Sequence, residues 1–243
     1  MIRTIEEYSL NALPALQTMV YDGWVLRFSN GYTKRANSVN PLYSSIKDHP
    51  LKIQQCEQLY TEKNLEVIFK ITSPSTPNNL DALLEERGYQ IASPAIVQGL
   101  TLNRRNQTID ENITYSSVIT EEWLESFCQF NHISEQNKPI LQYMLENMLP
   151  NKYIVSLQSG DKTIGCGIGV LQDDYIGLYD IVIDNAYRKQ GYGKKLITNI
   201  LKLGAKAGAK QSYLQVLQSN TPAIKLYSSL GYQEMYHYWY RVK

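Results

Sequence analysis

The stretch Leu178–Ile197, LYDIVIDNAYRKQGYGKKLI, constrains this chain more than any other. An apolar run ends at Ile183, a short turn follows, and Arg188-Lys189-Gln190-Gly191-Tyr192-Gly193 opens a helical pattern. Glycines spaced by one residue at a helix start let the backbone approach a ligand with no Cβ in the way. The free N–H groups of the first turn point at that ligand, and the helix dipole favours negative charge there. Arg188, Lys189, Lys194 and Lys195 add positive charge nearby. The spacing therefore suits a pyrophosphate, although a lone Gly-x-Gly is better read as tight helix packing. Neither GxxxxGK[ST] nor GxGxxG is present, which points away from ATP and NAD.

The rest of the 243 residues reads as two successive alternations of helix and strand, long enough for two modest domains. The first alternation predicts a helix over Glu6–Thr18, a strand over Gly23–Phe28 and an extended piece over Thr33–Val39. A helix over Pro50–Lys63 follows, with Leu51, Cys56, Leu59 and Tyr60 as its apolar stripe. Next come a strand over Glu66–Ile71, a helix over Leu80–Arg87 and a strand over Ala95–Leu102. The polar run Asn103–Asn112 reads as a linker, which puts domains at 1–105 and 113–243 with a joint at 106–112. The second alternation begins with a strand at Ile113–Val118 and ends with one at Tyr236–Val242. Mixed in this order, the elements predict an α/β (α+β) fold with helices covering a mixed central sheet. An internal echo links the halves. ITSPSTPNNLDALLEERGYQ at Ile71–Gln90 and VLQSNTPAIKLYSSLGYQ at Val216–Gln233 share Thr-Pro, a short helix and Gly-Tyr-Gln. That pattern suggests duplication, with Gly88 and Gly231 ending the helices.

Composition narrows the partners. A formal net charge of +1 offers no basic field for nucleic acid or an acidic membrane surface. Cys56, Cys128 and Cys166 are scattered without a CxxC or a histidine cluster, which argues against disulfides and against a metal. MIRTIEEYSL does not read as a signal peptide, and no apolar run reaches membrane-spanning length. The expected location is cytoplasmic. The 19 Tyr against 4 Phe are compatible with amphipathic cleft walls and equally with compositional habit. Along Tyr236–Tyr240, Tyr236, Tyr238 and Tyr240 share one strand face, with His237 and Trp239 on the other.

Arg-x-x-Gly-x-Gly after such a strand resembles the acyl-CoA signature of the GNAT superfamily of N-acyltransferases. A second motif follows about thirty residues later in the order that superfamily shows: Asn220, Ala223, Tyr227 and Gly231-Tyr232. The N-terminal segment WVLRFSNGYTKRANSVNPL at Trp24–Leu42 resembles a two-domain subgroup whose first domain is a degenerate copy. Residues 1–105 contain no Arg-x-x-Gly-x-Gly, so the resemblance implies tandem GNAT-like folds with the cofactor held by the second.

That resemblance implies an N-acetyltransferase that moves an acetyl group from acetyl-CoA to a primary amine of a small molecule or peptide. The cofactor-binding set it implies is Ile181, Val182, Ile183, Arg188, Lys189, Gln190, Gly191, Tyr192, Gly193, Lys194, Asn220, Ala223 and Tyr227. Ile181 and Ile183 would act through backbone amides. Tyr227 is the candidate general acid for the departing thiolate, against a reading as a core tyrosine. Asp180 is a candidate general base, since a carboxylate inside GLYDIVI must be paired or used; a structural pairing fits it equally. Arg35, Asn37, Tyr179 and Tyr238 are candidate substrate contacts, with Arg35 and Asn37 alternatively fastening the domains. An acyl-enzyme on Cys166 is disfavoured by its small-residue strand. The rival from another class is a non-catalytic acyl-CoA sensor or partner-binding module, and exposed strand edges are compatible with a homodimer.

Overall fold

A computed structural model of the protein describes residues 1–75, 77–103 and 108–243. Thr76 of the first Thr-Pro and residues 104–107 of the expected linker lie outside the described residues. The chain forms two compact units, one of residues 1–96 with 236–243 and one of residues 97–235. This division differs from the boundaries read from sequence, because Tyr236–Lys243 belongs with the first unit.

In chain order the first unit holds α1 (Ile2–Ala12), β1 (Gln17–Tyr21), β2 (Trp24–Phe28), β3 (Val39–Pro41), α2 (His49–Glu62), β4 (Ile68–Thr72) and α3 (Leu80–Glu86). β5 (Gln90–Thr101) carries the boundary between Ile96 and Val97. The second unit continues with β6 (Ile113–Ser116), α4 (Glu121–Asn131), α5 (Lys138–Glu146), β7 (Asn151–Ser159), β8 (Lys162–Gln172) and β9 (Tyr175–Ile183). α6 (Tyr192–Lys206), β10 (Gln211–Leu217), α7 (Thr221–Ser229) and β11 (Gln233–Val242) complete the chain.

The expected helix over Glu6–Thr18 lies earlier, because Pro14 cannot continue it and the Arg27 guanidinium donates to the carbonyls of Leu10 and Leu13 at its end. The residues after Pro14 form β1, which pairs with β2 across a two-residue turn, Tyr21 facing Trp24. That turn is Asp22-Gly23, both at positive φ, the conformation a tight hairpin needs. A Cβ on Gly23 would sit 2.2 Å from the Ser44 carbonyl oxygen, so only glycine fits. The extended piece at 33–39 is instead a 3-10 turn over Lys34–Ala36 followed by β3. In α2 the buried stripe is Ile53, Cys56 and Tyr60, while Leu51 is exposed.

One apolar face of the first unit's sheet packs Trp24, Leu26, Phe28, Phe69 and Ile71 against Ile53 and Tyr60 of α2 and Leu80 and Leu84 of α3. In the second unit the strand order is β10-β9-β8-β7-β6, with β9 and β10 parallel and the remaining pairs antiparallel. Both units therefore contain a mixed sheet flanked by helices. Each also contains a strand, helix, parallel strand crossover: β3–α2–β4 and β9–α6–β10.

The sequence echo is a structural one as well. Gly88 and Gly231 both take left-handed φ after α3 and α7, as the turn from helix to strand requires. Tyr89 N–H then donates to the Leu84 carbonyl, and Tyr232 N–H to that of Tyr227. Leu84 thus holds in α3 the place that Tyr227 holds in α7.

Candidate functional site

β9 and β10 pair from Tyr175↔Gln211 to Leu178↔Leu214, and the register ends there although both strands continue. On its other side β9 pairs with β8, with a break in register. Ile168 faces Tyr179 and Cys166 faces Val182, so Gly167 stands opposite both Asp180 and Ile181. This is a β-bulge, with Asp180 at φ 52. The extra residue shifts the strand's phase by one. Leu178 keeps to the face that packs under α6, and Ile181 and Ile183 replace Asp180 and Val182 on that face. A bulge where a neighbouring strand has diverged re-aims backbone N–H groups away from the ladder, a way to present donors to a ligand.

Beyond Ile183 the chain turns through Asp184, whose side chain caps the short turn Asn185–Tyr187 by accepting from Ala186 N–H. Gly191, at φ 87, is the N-cap of α6 and has no side chain to satisfy the first helical N–H groups. A Cβ there would meet nothing within 4 Å, so the space before the helix start is open. A Cβ on Gly193 would lie 3.1 Å from Leu226 Cδ2 and 4.0 Å from Ile183 Cγ1. The end of β9, the start of α6 and the middle of α7 therefore converge at Gly193. Arg188, Lys189, Gln190 and Lys194 are exposed around this cradle and Tyr192 is half-buried. Arg188 Nε donates to the Ile183 carbonyl, which ties the loop to the strand end. Lys195 is engaged elsewhere, 2.9 Å from Asp110, and so contributes less to the cradle's field than its neighbours.

Asn220 caps α7 by accepting from Ala223 N–H at 3.2 Å. One turn later Tyr227 is 9% exposed, its ring edge-on to Tyr232. Burial pushes its phenol up to about 12, so the group is protonated throughout the neutral range. Its hydroxyl has no hydrogen-bond partner among the described residues.

The candidate substrate contacts sit differently. Tyr179 is buried in the second unit, its hydroxyl 2.5 Å from that of Tyr213, and forms no open wall. Asn37 is buried and pins its own loop: Oδ1 accepts from Ser29 and Gly31 N–H while Nδ2 donates to the Thr33 carbonyl. Its fastening role is thus local to the first unit. Tyr238 is buried with Lys70 Nζ 4.0 Å from its ring centre. Arg35 is half-buried, and its carbonyl accepts from Arg27 Nη1. Burial pushes the Cys166 thiol up to about 12, which removes it as a nucleophile at neutral pH. The described residues hold no cluster of three or more metal-ligating side chains, and no described helix is long and apolar enough to cross a membrane.

Sequence reasoning missed Gly167. The signal was present in Gly165-Cys166-Gly167-Ile168-Gly169 opposite a strand whose apolar alternation breaks at Asp180.

A glycine-started helix beside a bulged strand that splays from its parallel neighbour defines the GNAT type of N-acetyltransferase. The chain belongs to the family described as "Probable histone acetyltransferase Rv0428c C-terminal", whose model matches residues 1–241. It is 27% identical over 246 residues to the uncharacterized N-acetyltransferase YobR of Bacillus subtilis, covering 100% of this chain and 98% of that protein. A shorter match, 39% identical over 62 residues, links 26% of the chain to 43% of the ribosomal protein bS18-alanine N-acetyltransferase of Haemophilus ducreyi. Among solved structures, a GCN5-related N-acetyltransferase from Kribbella flavida superposes with a TM-score of 0.71 at 13% identity, covering 99% of this chain and 95% of that one. A tandem GNAT protein from the clavulanic acid biosynthesis pathway gives 0.62 at 11% identity, with 98% and 87% covered.

Proposed function

We propose that the second unit binds acetyl-CoA at the Arg188–Gly193 cradle and transfers the acetyl group directly to a primary amine of a small molecule or peptide. The observation that carries this reading is the convergence at Gly193 of a bulged strand end, an open helix start and the Tyr227 helix. The thioester supplies an acyl group activated towards an amine; the protein must orient it and manage charge and protons. The free N–H groups at the start of α6 suit pyrophosphate oxygens, with Arg188, Lys189 and Lys194 as surrounding countercharge. Backbone N–H groups of Ile181 and Ile183, beyond the point where β9 leaves β10, suit the pantetheine arm and the acyl carbonyl oxygen. As the amine nitrogen forms its C–N bond and the C–S bond breaks, Tyr227 acts as general acid to the leaving sulfur, and the proton released from the amine nitrogen restores the phenol. A thiol titrates near about 8.5, so the departing thiolate needs a donor more than a strong acid. The ribosomal protein bS18-alanine N-acetyltransferase named above supports a peptide or protein as one acceptor class.

Several features support the reading of the first unit as a copy that no longer holds the cofactor. The corresponding helix start in β3–α2–β4 is capped by Asp48, whose carboxylate accepts from Leu51 N–H, and Pro50 there has no N–H to offer. An acid at that place repels phosphate, and Leu84 stands where Tyr227 would.

The test is thiol release from acetyl-CoA with a panel of amino acids, polyamines, amine-bearing small molecules and peptides. Tyr227→Phe is expected to lower kcat about 10- to 100-fold, with a much smaller effect on acetyl-CoA affinity because the ring that lines the cofactor site is kept. Gly191→Val, forced to positive φ, should lose acetyl-CoA binding itself. If wild type binds acetyl-CoA and no acceptor turns over above the Tyr227→Phe background, the enzyme reading yields to an acyl-CoA sensor.

A further inference from the structure

The bulge needs a reason to sit where it does, and the residues around it supply two. Without the extra residue, the register that pairs Ile168 with Tyr179 would continue as Gly167↔Asp180 and Cys166↔Ile181. Side chains of directly paired residues share a face, so Asp180 would then lie under α6. The Cβ position of Gly167 is 3.0 Å from Ile200 Cδ1 and 3.4 Å from Leu196 Cδ2, an apolar place in which a carboxylate is costly. In the observed register that place is filled by Ile181, whose Cδ1 lies 2.7 Å from where a Gly167 Cβ would be. A Cβ at 167 would force the far end of the Ile181 side chain to shift. Asp180 itself takes the left-handed φ that Asp and Asn tolerate best among non-glycine residues.

We propose that Asp180 and Gly167 are positioning residues that together lock the donor strand in its bulged register. Asp180 resists the regular register because its charge would be buried, and Gly167 provides the seat that Ile181 occupies in the bulged one. This assigns Asp180 a role other than proton abstraction. The inference rests on the proposed use of the β9 amides, but the register itself can be read without turnover.

Asp180→Asn keeps the polar group and the tolerance of positive φ while removing any general base. It is expected to retain kcat/KM within about threefold and an unchanged pH profile. Asp180→Val suits the regular register, where it would pack under α6; it should lower kcat/KM at least about tenfold. Gly167→Ala should do likewise. Gly169→Ala is the control, since its Cβ would also crowd α6, 2.6 Å from Ile200 Cγ2, but on a pair away from the bulge. Ile181→Val, which removes the Cδ1 that an alanine at 167 would meet, should partly rescue Gly167→Ala. NMR cross-strand contacts give the independent readout: Cys166 facing Val182 in wild type and Asp180→Asn, and Cys166 facing Ile181 in Asp180→Val. A wild-type register in Asp180→Val, or Asp180→Asn losing about 100-fold in kcat with its register intact, would overturn the proposal. Absence of acetyl-CoA binding by wild type would instead sink the functional reading and leave the register result standing.

Discussion

Lys52 shows how a single side chain can look like chemistry and be structure. It is 1% exposed, and its ammonium donates to the Asp22 carbonyl, Asp22 Oδ2 and Ser45 Oγ, with the Trp24 ring 3.9 Å away. Burial lowers its pKa, a mark often carried by catalytic lysines. Yet its three donors are all used, and its partners are the tight turn at Asp22-Gly23 and the loop at Ser45. Lys52→Met is expected to destabilise the protein by about 2 kcal/mol in urea unfolding, because the Asp22 carbonyl loses a charged donor. Acetyl transfer should be little changed in the surviving folded protein. At this scale the sequence was legible where a residue type has one meaning. Gly191 and Gly193 fell at the helix start as expected, Gly191 at the positive φ that favours glycine and Gly193 where a Cβ would press on Leu226. Tyr179 and Tyr238 are buried, a placement the sequence could not give, since a tyrosine suits a cleft wall and a packed interior equally well and only tertiary neighbours decide.

At the scale of elements, α6 is held at more than its cradle end. Asp110 lies 2.9 Å from Lys195 Nζ, its N–H donates to Asn199 Oδ1, and Lys202 Nζ donates to the Thr108 carbonyl. The residues just before β6, expected to be linker, are thus fastened along the helix. Hydrogen bonding to Lys195 holds the Asp110 carboxyl below the usual carboxylate range. A depressed carboxylate contributes stability above its unfolded pKa, and the contribution is lost as pH falls through the folded value. Amide exchange over Thr108–Asn112 should therefore rise below about pH 4, and Asp110→Asn should show the raised exchange at neutral pH. Because the pair is half-exposed, salt should weaken it too. Most long elements were readable from apolar spacing. β1 was not, although Asp22-Gly23 is a strong hairpin signal, because the preceding apolar residues also fit a helical period. The bulge was hidden for a different reason: it is an agreement between two strands, and neither strand alone states it.

At the scale of the molecule, the surprise is the ownership of β11. Tyr238–Val242 pairs antiparallel with Ile68–Thr72 of β4, and Arg241 grips Asp81 of α3 with two bonds of 2.8 Å while its Nη1 donates to the Tyr89 carbonyl. Trp239 Nε1 donates to the same carboxylate. Asp81→Ala would leave a buried guanidinium short of its main partner, at a cost of about 3 kcal/mol; a lowered urea midpoint with faster amide exchange in β4 is the expected result. No local pattern reveals this, because Asp81 and Arg241 meet only after the whole chain is in place. The consequence concerns synthesis. A ribosome makes the N-terminus first, yet residues 1–96 lack an edge of their sheet until Tyr236–Lys243 emerges. At about 5–20 residues per second, the nascent first unit waits many seconds with β4 unpaired on that side. Loss of Tyr236–Lys243 would harm the first unit, made long before it, rather than the second.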